Sequence, residues 1–241
     1  MDVKETVFPT FNFEVGEVLL MDKPYGWTSF DVVGKIRNAI KPLKVKVGHA
    51  GTLDPLATGL LILCTGKKTK TIDQIQGQEK EYSGTITLGA TRPSYDMETE
   101  IDEHFDFSQI SEEDIYEATK QFIGDIQQLP PAHSAIRIGG ERLYKKARRG
   151  ESVELKPCPV TIHSFEITSI NLPEISFNVI CSKGTYIRSL AYDFGRALNN
   201  GAYLSSLRRV RIGEYHVDNA YAVLDLDGHI RSVRREENEN L

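Results

Sequence analysis

The chain has 241 residues and a mass of 27.1 kDa, with 40% hydrophobic and 26% charged residues, enough for one large domain or one domain with a small appendage. Twenty-nine Lys and Arg against thirty-four Asp and Glu leave a net charge of -5. No apolar run reaches the roughly 18 residues of a membrane span, the opening MDVKETVFPTFNFEVGE lacks the basic start and apolar stretch of a secretory signal, and Cys64, Cys158 and Cys181 contain no CxxC pair, which excludes membrane, secreted and fibrous classes, a disulfide framework and a structural zinc, and fits a reducing cytoplasm.

In chain order, GEVLLMDKP reads as a short buried strand ending at Pro24. Thr28 or Ser29 can cap a helix with Phe30, Val33, Ile36 and Ile40 on its apolar face, ending before Pro42. Residues 80–89, 160–170 and 175–181 read as strands. Ser111, followed by Glu112, Glu113 and Asp114, starts a helix with Ile115, Ala118 and Phe122 on one face. Ile187, Leu190, Ala191, Phe194 and Leu198 mark the clearest amphipathic helix, stopped near Asn199-Asn200-Gly201. Residues 210–217 read as a last strand, and the tail RSVRREENENL as a charged, frayed end. Several consecutive strands among irregularly placed helices favour an α+β fold over a doubly wound α/β fold, and no repeat or long linker marks two independent domains.

The charge is unevenly spread. Residues 96–117 hold ten acids and no Lys or Arg, and without them 29 basic residues face 24 acidic ones. Residues 137–149 hold six basic residues and one acid. Such asymmetry permits a polyanionic partner, and equally a solvated acidic loop beside a solvated basic helix face.

One stretch stands apart: GHAGTLDPLATGLL, from Gly48 to Leu61. Its glycines allow a tight turn. Asp54-Pro55 is a ready helix start, with Asp as cap and Pro in the first turn. That reading leaves His49, five residues before Asp54, without a role, and glycine-framed loops are where reactive side chains are held at defined, exposed positions.

This stretch resembles the signature of the TruB family of pseudouridine synthases. LLMDKPYGWTSFDVV, KEYSGTITLG, LPPAHSAIRIGGERLYKKARRG, CSKGTYIRSLAYDFG and YLSSLRRVRIG follow in the family's order, from about residue 17 to 213. Ala50 departs from the family's usual Thr, one small residue for another. The resemblance implies a pseudouridine synthase fold, a mixed and largely antiparallel sheet flanked by helices with a central active-site cleft. It implies isomerisation of uridine 55 in the TΨC loop of tRNA to pseudouridine, a reaction that calls for no redox cofactor, nucleotide or metal. It also implies roles. Asp54 is the catalytic carboxylate, attacking either the ribose C1′ or the uracil ring, and Arg188 is its ion-pair partner. Tyr82 stacks on the target uracil and takes part in proton transfer, His49 supports base flipping, and Tyr186 and Leu207 line the uridine pocket. Lys23 and Pro24 support the site. The segment Arg137–Arg149, with Lys67, Lys68, Arg208, Arg209 and Arg211, is expected on RNA phosphates, and the acidic block is expected to face away from them.

Residues 1–213 are expected to form the catalytic domain and residues 214–241 a short C-terminal extension, too short for the PUA-type domain of many relatives. That favours action on the TΨC stem-loop without a guide RNA, and a monomer is the default expectation. Other readings compete. TGKKTK at 65–70 is not a phosphate-binding loop, since Leu61 stands where a glycine is required. A glycoside hydrolase needs a second carboxylate in a comparable setting. An RNA-binding module without catalysis needs the basic segments and aromatics but not Asp54.

Overall fold

The computed structural model describes residues 8–132, 137, 138, 140–143, 149, 151 and 155–239. In chain order the elements are β1 (Val18–Lys23), α1 (Ser29–Ala39), β2 (Val47–His49), β3 (Thr58–Thr65), a 3-10 turn (Gly66–Thr71), α2 (Ile72–Gln76), β4 (Lys80–Leu88), β5 (Ala90–Thr91), β6 (Glu103–His104), α3 (Glu112–Lys120), β7 (Gly124–Gln128), β8 (Arg137–Ile138), β9 (Glu141–Arg142), β10 (Cys158–Asn171), β11 (Glu174–Cys181), α4 (Ile187–Ala197), β12 (Ala202–Ile212), β13 (Tyr215–His216), β14 (Tyr221–Ala222) and α5 (Val223–Glu239). The pairs β1–β3, β2–β3, β4–β11, β7–β10, β10–β11 and β12–β13 are antiparallel and β1–β14 is parallel, a mixed and mostly antiparallel α+β arrangement, as expected. The chain divides into two compact units, one formed by the chain up to Gln78 together with Arg209 onward, the other by Glu79–Arg208.

In the first unit the strands run β14–β1–β3, with β2 also on β3. Strand β3 is buried along nearly its whole length, and its alternating side chains serve two cores. Leu61 and Leu63 pack with Leu19, Met21 and the inner faces of α1 and α5. Leu60, Ile62 and Cys64 pack with Ala50, Ile75 and Ile212. Helix α1 starts where Thr28 and Asp31 form a reciprocal capping box, and buries Val32, Val33, Ile36 and Ala39. Phe30 departs from the expected apolar face and is 63% exposed, because the buried stripe centres on Val32, Val33 and Ile36 and leaves Phe30 on the far side.

The tail read as frayed is helical to Glu239. Val223, Leu226 and Ile230 bury one face of α5 against α1. Asp227 accepts from Lys35 at 3.3 Å and Arg231 at 2.9 Å, and Arg234 donates to the Ala39 carbonyl at 3.0 Å. The last long strand also begins earlier than expected, at Ala202, and turns at Gly213 into the separate strand β13.

In the second unit the order is β4–β11–β10–β7. Phe165, Phe177 and Phe194 meet edge-on with ring centroids 5.6–5.7 Å apart, so the apolar face of α4 seals the sheet. Helix α3 starts at Ser111 as expected, where Ser111 and Asp114 form a capping box.

Candidate active site

Asp54 lies in the first unit, in the loop between β2 and β3. Gly51 (φ 103°) and Gly59 (φ 97°) open and close that loop in backbone conformations that favour glycine. No helix follows Asp54. The Ala57 amide donates to its carbonyl at 3.1 Å, making a turn that runs straight into β3, so the carboxylate is half-buried at a turn rather than spent on a helix cap.

Two buried cations hold this turn. Lys23 occupies the inward position after Leu19 and Met21 on β1 and is fully buried. Its ammonium donates to the carbonyls of Pro24 (3.0 Å), Trp27 (2.6 Å) and Pro55 (3.2 Å). Arg209, 1% exposed, donates from Nε to the Leu60 carbonyl (2.8 Å), from Nη2 to Gly51 (3.0 Å) and from Nη1 to Thr52 (3.4 Å). One planar guanidinium thus joins the incoming and outgoing arms of the Asp54 loop. Ser29 adds a third tie, accepting from the Leu53 amide at 2.9 Å and donating to its carbonyl at 3.2 Å. The Gly26 amide donates to Pro55 at 2.9 Å.

Burial pushes the Lys23 ammonium down to about 8; the Asp54 carboxylate opposes that shift and Arg209 adds to it. His49 closes β2, and its ring meets Phe30 edge-on at 5.6 Å and 87°. Burial holds its pKa below the ordinary histidine value, Arg209 lowers it further, and the Gly51 backbone opposes.

In the second unit, Arg188 sits in the first turn of α4, 4% exposed. Its Nε lies 3.7 Å from the Asp96 carboxylate and its Nη1 donates to the Ser94 carbonyl at 3.3 Å. Asp96 follows Tyr95, whose backbone is left-handed (φ 63°) and whose ring stacks on Tyr192 at 4.1 Å. Tyr186 precedes α4 and is fixed by the buried Gln128, which accepts from its amide at 2.7 Å and donates to its carbonyl at 3.0 Å. Tyr82 is buried on β4, and Leu207 is half-buried on β12.

Lys23, Pro24, His49 and Asp54 therefore belong to the first unit, and Tyr82, Tyr186, Arg188 and Leu207 to the second. Two expectations are corrected. Arg209 is no phosphate contact, because its guanidinium is buried on the loop backbone. Asp96 is not part of a solvated acidic face, because it is buried beside Arg188. Of the segment 137–149, Arg149 pairs with Glu141 through two contacts of 2.8 Å and with Glu151 at 2.7 Å; Lys145, Lys146 and Arg148 lie outside the described residues. Lys67 and Lys68 are exposed, and Arg211 donates to the Gly213 carbonyl at 2.8 Å. Arg209 and Asp96 had only weak signals in the sequence: an Arg-Arg pair in an alternating strand, which must turn one arginine inward, and one acid among ten.

Residues 37–187 match the family described as TruB family pseudouridylate synthase (N terminal domain). A tRNA pseudouridine synthase B of Flavobacterium johnsoniae is 59% identical over 210 residues, covering 85% of this chain and 92% of that protein. One of Bacteroides fragilis is 53% identical over 211 residues, covering 86% and 91%. Two solved structures share the fold with TM-scores of 0.68: an H/ACA RNP bound to a substrate RNA containing 2′-deoxyuridine, at 26% identity, and a Cbf5-Nop10-Gar1 complex, at 28%. They match 93% and 94% of this chain, which spans 56% and 61% of their length.

Proposed function

The chain belongs to the TruB family of pseudouridylate synthases, and we propose that it isomerises uridine 55 in the TΨC loop of tRNA to pseudouridine, as a single chain without a guide RNA. The observation that carries this reading is the Asp54 turn: a half-buried carboxylate on a glycine-framed loop, fixed by Lys23 and Arg209. A nucleophilic carboxylate must be ionised and aimed, and the buried Lys23 ammonium interacts favourably with this one. The relatives named tRNA pseudouridine synthase B, of which this chain spans over nine-tenths, support tRNA as the substrate.

The proposed reaction proceeds as follows. The target uridine leaves the loop stack at a cost of about a few kcal/mol, and stacking on Tyr82 returns roughly 1–3 kcal/mol of it. His49, neutral near pH 7, stands at the extrusion path. Asp54, to which the family resemblance assigns Arg188 as partner, attacks the nucleotide; the N1–C1′ bond breaks, the uracil turns, and C5 bonds to C1′. As the C5–C1′ bond forms, the bond to Asp54 breaks and the carboxylate is regenerated; the C5 proton leaves to solvent and N1 takes one up, so the product is an isomer of the substrate and no electrons are exchanged with a cofactor. Attack at C1′ and attack on the ring both start from the same carboxylate. Tyr186 and Leu207 complete the uridine pocket.

The test is tritium release from an unmodified tRNA transcript labelled at C5 of its uridines, with wild type and Asp54→Asn run together and the modified position mapped. Release of one equivalent from uridine 55 by wild type and none by Asp54→Asn is the expected result. Silence from both, with tRNA still bound, leaves an RNA-binding module in its place.

A further inference from the structure

Helix α1 carries an unused outer face next to the candidate site. At 3.6 residues per turn, positions 30, 34, 37 and 41 fall within about 60° of one another. They are Phe30, Gly34, Arg37 and Lys41, the last just beyond the C-cap Ile40. Phe30 is 63% exposed, Arg37 and Lys41 are exposed, and the space where a Gly34 side chain would stand is empty for 4 Å. Among the described residues Arg37 makes no ion pair. The acid of α1, Asp31, lies off this line and is taken up by the Thr28 amide at 2.8 Å and hydroxyl at 2.6 Å. The stripe begins at the site itself, since the Phe30 ring meets His49 at 5.6 Å and 87° while the residue stays largely exposed.

We propose that this stripe binds the RNA strand adjoining the target nucleotide, with Phe30 stacking on a base and Arg37 and Lys41 facing phosphates. The assignment rests on the proposed reaction. Once a nucleotide leaves a stack, its neighbour loses a stacking partner, and an exposed aromatic ring beside the extrusion path supplies one without regard to base identity. The absent side chain at Gly34 lets a backbone pass close to the helix. From Phe30 to Arg37 the rise is about 10 Å, the scale of a short run of nucleotides, and the charge at the far end has the sign that phosphates require. A protein partner fits less well, because protein interfaces centre on a contiguous, well-packed patch, and here a single exposed ring is followed by a gap.

The experiment uses the full chain and a synthetic hairpin of the tRNA TΨC arm, intact or with abasic nucleotides flanking the target uridine. Dissociation constants are read by anisotropy over a range of salt concentrations, and tritium release is followed in parallel. Phe30→Ala is expected to bind the intact hairpin about tenfold more weakly and to differ far less from wild type on the abasic hairpin, with Phe30→Tyr restoring the difference. Arg37→Glu, remote from His49, is expected to reduce the slope of log affinity against log salt by about one. A folded Phe30→Ala that binds the intact hairpin within twofold of wild type overturns the assignment. If Phe30→Ala does not fold, Arg37→Glu decides, and an unchanged slope overturns it. A wild-type dimer that becomes a monomer in Phe30→Ala gives the face to a second copy and also overturns it. Wild type that releases no tritium from tRNA defeats the underlying reaction instead, a result distinct from normal turnover with unaltered RNA binding in the variants.

Discussion

The Nε of Arg188 stands 3.7 Å from the carboxylate of Asp96, and both side chains are buried. Removing one member of a buried pair leaves the other charge uncompensated, at a cost of about 3–5 kcal/mol. Asp96→Ala is therefore expected to lower the unfolding free energy by about that amount. Asp96→Asn keeps the shape and a carbonyl acceptor and should cost less. Because Arg188 is the proposed partner of Asp54, both variants should also lose turnover, on the order of tenfold or more, in single-turnover tritium release at saturating enzyme. Urea melts of the two variants, with turnover measured in the folded range, check both parts. Full turnover in a folded Asp96→Ala would separate Arg188 from the chemistry.

Arg209 makes a second case in which geometry and charge can be separated. Its three donors reach Gly51, Thr52 and Leu60, and a lysine keeps the charge but cannot span that fork. Arg209→Lys should fold with a lower midpoint, since buried carbonyls left without donors cost about 1–3 kcal/mol each. It should also loosen the Asp54 turn. Hydrogen exchange at the Ala57 amide, which donates to the Asp54 carbonyl at 3.1 Å, reads that loosening directly. Faster exchange at Ala57 with unchanged exchange on β11 is the expected pattern; uniform protection would assign Arg209 to general packing alone.

The contrast between Arg209 and Phe30 shows where sequence reading works. Strand β1, the caps of α1 and α3, and α4 were all legible, because each is announced by local chemistry: an apolar run before Pro24, capping hydroxyls with an acid three residues on, and a clean apolar stripe. Asp54 was legible through its glycines and its resemblance to a family signature, although the local rule for Asp-Pro pointed to a helix that does not form. In a strand, parity alone decides which of Arg208 and Arg209 turns inward, and parity depends on partners distant in sequence. Phe30 shares the spacing of the α1 core residues, yet three-to-four spacing does not fix the centre of a buried stripe. The C-terminal helix is hidden in the sequence because its buried residues Val223, Leu226 and Ile230 lie at or before the start of a densely charged tail.

His49 should titrate below its ordinary value of 6.5, mainly because burial disfavours the imidazolium and secondarily because Arg209 is near. With the folded pKa below the unfolded one, the unfolded chain binds this proton first as pH falls. Stability drawn from His49 is therefore intact above about 6.5 and declines as pH drops from there toward the folded pKa. Ring-proton chemical shifts of His49 followed from pH 8 to 5 are expected to show a midpoint below 6.5. In Arg209→Met the midpoint should rise, since one of the two lowering influences is gone, provided the variant folds. A His49 midpoint at or above 6.5 in wild type would contradict the burial described for its ring.

Lys23 gives the sharpest pH signature, on the alkaline side. Its pKa is about 8 in the folded chain against 10.5 for a free lysine side chain. Below pH 8 both states carry the proton, and the folded state bears the full cost of a buried ammonium, offset by the carbonyls of Pro24, Trp27 and Pro55. Between about 8 and 10.5 the folded chain releases the proton while the unfolded chain retains it, so the Lys23 contribution to stability grows more favourable as pH rises through that window. Urea unfolding of wild type and Lys23→Met at pH 7.5 and 9.5 isolates the term, because every other titrating group is common to both. The wild-type advantage over Lys23→Met is expected to widen at pH 9.5. Asp54→Asn removes the carboxylate that raises the Lys23 pKa, so in that background the widening should begin at lower pH. An advantage that is flat across the window would mean that Lys23 keeps its proton throughout, and that the Asp54 turn is held by a permanent cation.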